Sequence, residues 1–137
     1  MKLFGLISAF FLSATTAFAE APDYLQRHLS EFGISPDAIT EGGIHVFEGD
    51  ATGDGAADAL TFVYSFNQNS VDLLVSVFRN EGGRLVHVGD LDDVYGESPR
   101  EFSTQDGAFL ITTTVPKEGD PRCCPTGTQR FTIQVSR

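Results

Sequence analysis

The segment Gly49-Asp50-Ala51-Thr52-Gly53-Asp54-Gly55-Ala56-Ala57-Asp58 spaces oxygen-bearing side chains as a hard cation requires. Asp50, Thr52, Asp54 and Asp58 stand at positions 1, 3, 5 and 9 of a calcium-type loop, and Gly55 at position 6 supplies the sharp turn. The backbone carbonyl of Ala56, at position 7, completes the set. Calcium is therefore the expected cofactor. An EF-hand would place a bidentate Glu at position 12, where this chain has Thr61, and would continue into a helix rather than the strand expected at Leu60 to Phe66. Thr52 in place of a carboxylate lowers the ligand charge and weakens the expected affinity. The same Asp and Gly residues also favour a tight turn with no metal at all.

Cys123 and Cys124, the only cysteines, are the second chemically distinctive pair. Three states are open to them: a bond to each other, a bond between two chains, or free thiols. Neighbouring Cα atoms lie about 3.8 Å apart across a trans peptide, below the usual disulfide range of about 4.4 to 6.8 Å, so a vicinal bridge is strained. Closing almost no loop, it restrains the unfolded chain little, and its value is local stiffening of a hairpin tip. Redox chemistry is the sharper alternative, but thioredoxin-like motifs separate their cysteines by two residues at a helix N-terminus, a spacing this pair lacks.

Met1-Lys2, the apolar run Leu3 to Leu12 and the closing Ala17-Phe18-Ala19 have the form of a secretory signal peptide cleaved before Glu20. The apolar run is shorter than the roughly 20 residues that span a bilayer, so no stable membrane insertion is expected once the leader is removed. Export, to the periplasm or the medium, brings the loop to a calcium-rich compartment and the cysteines to an oxidising one.

Removing the first 19 of 137 residues leaves 118, enough for one domain with its own core. Lys2 leaves with the leader, which moves the formal net charge from −10 to −11. Such a field repels a phosphate backbone, so nucleic acid is excluded as a partner, while cations and basic protein surfaces are favoured.

Asp23 to Phe32 places Leu25, Leu29 and Phe32 on one helical stripe, and Gly33 ends the helix. Ser35-Pro36 starts one further turn, with Ile34 and Ile39 as a hydrophobic staple, before Gly42-Gly43 breaks the pattern. From Ile44 the period is two: Leu60 to Phe66, Phe109 to Val115 and Phe131 to Val135 alternate as half-buried strands. Val71 to Phe78 is apolar on both faces, as a central strand under the helix must be. Turns at Asn67 to Ser70, Asn80 to Gly83 and Asp106-Gly107 are too short for parallel crossovers. The expected fold is α+β, a single antiparallel meander of six or seven strands with the one helix packed on a face; a closed barrel is the alternative.

The D-x-x-G-D-G-x-x-D spacing from Asp50 to Asp58 resembles the loop of FG-GAP-like repeats, which joins two strands and often holds calcium. It occurs once, so the propeller built by those repeats is not implied. Together with Asp120-Pro121-Arg122-Cys123-Cys124-Pro125, it resembles a broad, poorly characterised group of exported bacterial proteins and lipoproteins, over roughly Val46 to Val135. That resemblance implies a bacterial envelope location and no particular activity; a lipobox cysteine is missing from this chain.

The chain has no G-x-S-x-G, H-E-x-x-H, C-x-x-C or P-loop. His28 on the helix and His45 and His87 in strands are expected to be partly buried side chains rather than ligands, and the acidic group Asp90, Asp92, Asp93 and Glu97 a solvated loop. The expected function is a small binding or interaction module for a protein or small ligand. Its alternatives are an inhibitor-like protein directed at a basic extracellular enzyme and a thiol-disulfide protein using Cys123-Cys124.

Overall fold

Leu25 and Leu29 are fully buried on one stripe of helix α1 (Asp23–Phe32), which ends where the sequence predicts. Gly33 takes φ +87°, and the Gly33 and Ile34 amides donate to the carbonyls of Ser30 and Leu29. This six-to-one closure needs a left-handed residue, and it turns Ile34 back beneath the helix. The expected extra turn is a short 3-10 helix at Pro36–Ala38. The computed structural model describes residues 20–135, so the leader expected at residues 1–19 lies outside the described residues.

Seven strands follow: β1 (Ile39–Gly49), β2 (Asp58–Asn67), β3 (Ser70–Glu81), β4 (Arg84–Asp90), β5 (Glu97–Gln105), β6 (Ala108–Val115) and β7 (Gly127–Gln134). All neighbouring pairs are antiparallel. β1 starts five residues before the expected point, because Gly42 and Gly43 are absorbed as an irregularity between Ile39 and Ile44 rather than ending the pairing.

The domain is α+β with a single α-helix among the described residues, but the strands do not form one meander. They make a four-stranded sheet in the order β1-β2-β3-β4 and a three-stranded sheet in the order β5-β6-β7. The reason lies in the central strands, which are apolar on both faces. One face of the larger sheet, with Ala59, Val63, Leu74 and Phe78, is covered by Leu25 and Leu29 of α1. A single helix cannot cover the other face as well. Leu60, Phe62, Val75 and Val77 are covered instead by Phe109, Ile111 and Ile133 of the smaller sheet.

The fold-over occurs in residues 91–96. The Leu91 amide donates to the Val75 carbonyl at 2.9 Å, Val94 enters the inter-sheet core, and Gly96 turns at φ +106° into β5. The three layers are thus helix, four-stranded sheet and three-stranded sheet. Among the described residues, no helix is long and apolar enough to cross a membrane.

Candidate functional site

The acidic loop joins β1 to β2, and its aspartates are held by the loop's own backbone. Asp50 accepts the Gly53 amide on Oδ1 at 2.8 Å and the Gly55 amide on Oδ2 at 2.7 Å. These bonds, Gly55 foremost and then Gly53 and Asp54, hold the Asp50 carboxyl below the ordinary aspartate value. Asp54 Oδ1 accepts the Ala56 amide at 2.9 Å, and the Thr52 hydroxyl reaches Asp50 Oδ1 at 3.5 Å. Asp58 differs from these. It is fully buried, with Oδ2 accepting the Ala51 and Thr52 amides and Oδ1 accepting the Asn80 amide of β3.

For a hard cation the fit is divided. Asp54 is exposed and Asp50 half-exposed, and each retains acceptor capacity beyond its backbone bonds, with the Ala56 carbonyl nearby in sequence. The buried Asp58 spends both oxygens on three amides, which makes it the pin that ties the loop to β3.

Cys123 and Cys124 are bonded to each other, their Cα atoms 3.7 Å apart. They lie in the β6–β7 connection, where Pro116 to Cys124 are exposed apart from a half-exposed Asp120. Exposure does not leave this tip loose. Asp120 Oδ2 accepts the Lys117 and Thr126 amides, both at 2.7 Å, the Thr126 hydroxyl donates to Oδ1 at 2.8 Å, and the Cys124 amide donates to Pro121 O at 3.1 Å.

The amides of Lys117 and Thr126, with the Thr126 hydroxyl, hold Asp120 below its ordinary value. A depressed carboxyl stabilises its partners above the unfolded value, near 3.9, and loses that contribution as pH falls through the native one. Protection of the Lys117 and Thr126 amides from hydrogen exchange is therefore expected to persist at pH 5 and to be lost only on acidification below the unfolded carboxyl value, near 3.9, while protection in β2 and β3 survives. Equal loss in both places would mean that Asp120 does not hold the tip.

The two sequence-derived features do not meet. The acidic loop borders the β5–β6 hairpin, sharing a shallow groove with Thr104 to Gly107. The disulfide tip lies at the other end of β6, eight residues away, or about 26 Å at the usual rise.

A third constellation is one that the sequence disguised. Thr61 of β2, Ser76 of β3 and Asp90 at the end of β4 are successive cross-strand partners, forming a polar row on the face that α1 covers. Thr61 Oγ1 is buried without a hydrogen-bond partner. Ser76 Oγ donates to Asp90 Oδ1 at 2.6 Å. His28 of α1 and His87 of β4 each bring Nε2 to the same Oδ1, both at 2.9 Å. The two imidazoles stack with centroids 3.9 Å apart, and Phe78 meets each ring edge-on. Burial raises the Asp90 carboxyl, but the bonds from Ser76, His87 and His28 outweigh it and leave the group below its ordinary value.

Asp90 is bonded into this cluster although, like Asp92, Asp93 and Glu97, it is exposed as expected. His28 is buried and His45 half-buried, as the sequence suggests, whereas His87, expected to be partly buried, is exposed. The missed signal was the parity of β4. His87 and Asp90 are three residues apart, which in a regular strand puts them on opposite faces. Here Phe78 pairs with His87 but Val77 pairs with Gly89, so one extra residue is inserted and both side chains reach the helix side.

Compared with protein-family models, with curated proteins and with solved structures, the chain has no match.

Proposed function

We propose that the chain is a small exported binding module, periplasmic or secreted, that presents the β6–β7 tip to a protein partner. The observation that carries this reading is an exposed connection ordered by Asp120 and the Cys123–Cys124 bond with almost no apolar burial of its own. Ordering a backbone costs about 1–2 kcal/mol per residue. A tip already fixed in one shape spares that cost when a partner docks. The formal charge of −11 after leader removal favours a partner with a basic face. The likeness of the Asp120 to Pro125 segment to exported bacterial proteins supports an envelope location. At the far end, calcium is proposed as a structural ion held by Asp50, Thr52, Asp54 and the Ala56 carbonyl, with Asp58 bracing the loop from inside. Sites of this extracellular kind, with dissociation constants of about 0.1–1 mM, fill outside the cell.

The test is a photo-crosslinking side chain placed at Glu118 in the tip, compared with one at Arg84 at the opposite end. The tip probe is expected to capture a defined partner in the producing cells. A Cys123→Ser/Cys124→Ser double variant, its unfolding midpoint little changed, is expected to lose roughly tenfold in capture, equivalent to about 1.4 kcal/mol. Capture at Arg84 equal to that at Glu118, or undiminished in the double variant, would remove the tip as the contact surface.

A further inference from the structure

The geometry points to His28, His87 and Asp90 as a binding site for a divalent transition ion of the zinc type. Among the described residues, this is the group of three His, Cys, Asp or Glu side chains whose ligand atoms all lie within 4.8 Å of one another. Nitrogen and oxygen ligands bound tetrahedrally at about 2.0–2.1 Å are separated by roughly 3.3 Å. The two Nε2–Oδ1 distances of 2.9 Å therefore need to open by a few tenths of an ångström, and the stacked imidazoles need to tilt so that both Nε2 lone pairs meet at the ion.

The donor set selects the ion. Two imidazoles and one carboxylate form a borderline set that suits zinc and its neighbours, whereas calcium and magnesium favour oxygen throughout. Three protein ligands leave a fourth position, and the His87 side chain, 35 % exposed, opens that side to water. The site also has its supports. Ser76 Oγ holds the Asp90 carboxylate in place, while Phe78 packs edge-on against both imidazoles and Phe32 lies against His28.

The β4 bulge is an independent reason to see a built site. Without the extra residue between His87 and Gly89, His87 or Asp90 would face away from α1. Bulges are enriched beside functional sites because they re-aim a single side chain. This one brings together two ligands that regular alternation would separate.

Zinc titration of the tag-free protein by calorimetry tests the inference, with cobalt(II) substitution followed in visible absorption. One ion per chain is expected, with a ligand-field band of nitrogen-oxygen type and no displacement by millimolar calcium. His87 lies on an outer strand, so His87→Ala is expected to keep the fold while weakening zinc binding roughly 10- to 100-fold. Asp90→Asn is expected to act in the same direction, and His45→Ala and Asp54→Asn to leave zinc affinity unchanged. A parent that binds no zinc, or a folded His87→Ala variant that binds it equally, overturns the assignment. Failure here leaves the tip-binding reading untouched, because that reading is tested at Glu118 and the cysteines.

Discussion

Asp58→Ala is expected to remove much of the stability of the domain. The carboxylate is fully buried and accepts the amides of Ala51, Thr52 and Asn80. Truncation leaves three amides without their acceptor, and buried donors so orphaned cost about 1–3 kcal/mol each. A loss of about 4 kcal/mol is expected after relaxation, against a typical total of about 5–15 kcal/mol. Asp58→Asn keeps one acceptor oxygen but turns an amide group toward backbone donors, so an intermediate loss of about 2 kcal/mol is expected.

Urea unfolding with calcium and with chelator separates this role from metal binding. The parent is expected to gain about 1.4 kcal/mol when free calcium is ten times its dissociation constant. The penalty of Asp58→Ala is expected to persist in chelator, because the bonds that it breaks run to backbone. A penalty seen only in calcium would make Asp58 a ligand instead of a pin.

Gly96→Ala is expected to be the other severe substitution. At φ +106° a residue with a side chain is strained, and the added methyl carbon would lie 2.5 Å from Thr113 Oγ1 and 2.7 Å from Thr114 O. Neither obstacle yields easily. Thr113 is buried and its hydroxyl donates to Tyr95 O at 2.7 Å, and the Gly96 carbonyl accepts the Tyr64 hydroxyl, also at 2.7 Å. Overpacking and backbone strain together give an expected loss of about 3 kcal/mol. Gly89→Ala is the control, since a methyl there meets nothing within 4 Å; its unfolding midpoint is expected to stay within a few degrees of the parent. Near-equal midpoints for the two variants would show that the passage between sheets tolerates rearrangement.

Local patterns were enough for the helix and the well-buried strands. Leu25 and Leu29 mark a stripe and Gly33 closes it, and the strand at Leu60 to Phe66 lies where its pattern puts it, although it is buried on both faces rather than half-buried, with only Phe66 of that run exposed. The Asp106-Gly107 pair, with φ +45° and +84°, forms the tight hairpin that its residue types favour. Less of β5 could be read, because Glu97–Gln105 is largely polar and its register shifts twice, with Ser98 and Glu101 at positive φ. The division into two sheets was encoded nowhere locally. It depends on an apolar face that α1 cannot reach, so it is a property of the whole chain. The acidic loop was found where expected, but the inward turn of Asp58 depends on the Asn80 amide of another strand, 22 residues on. His28, His87 and Asp90 escaped for a similar reason: one ligand comes from a helix 62 residues before Asp90, and an inserted residue inverts the parity of the other two.

That inserted residue also bears on how the protein avoids its own copies. β4 is an outer strand of the larger sheet, and Val86 and Val88 are each about 40 % exposed, so a regular β4 would offer a second chain a flat, partly apolar template for pairing. The extra residue after His87 bends the strand and breaks the even row of amides and carbonyls that such pairing requires. One insertion thus brings Asp90 to the helix side, beside His87, and blunts an aggregation-prone edge. A deletion at Val88 would endanger solubility during folding as well as the chemistry beneath the helix.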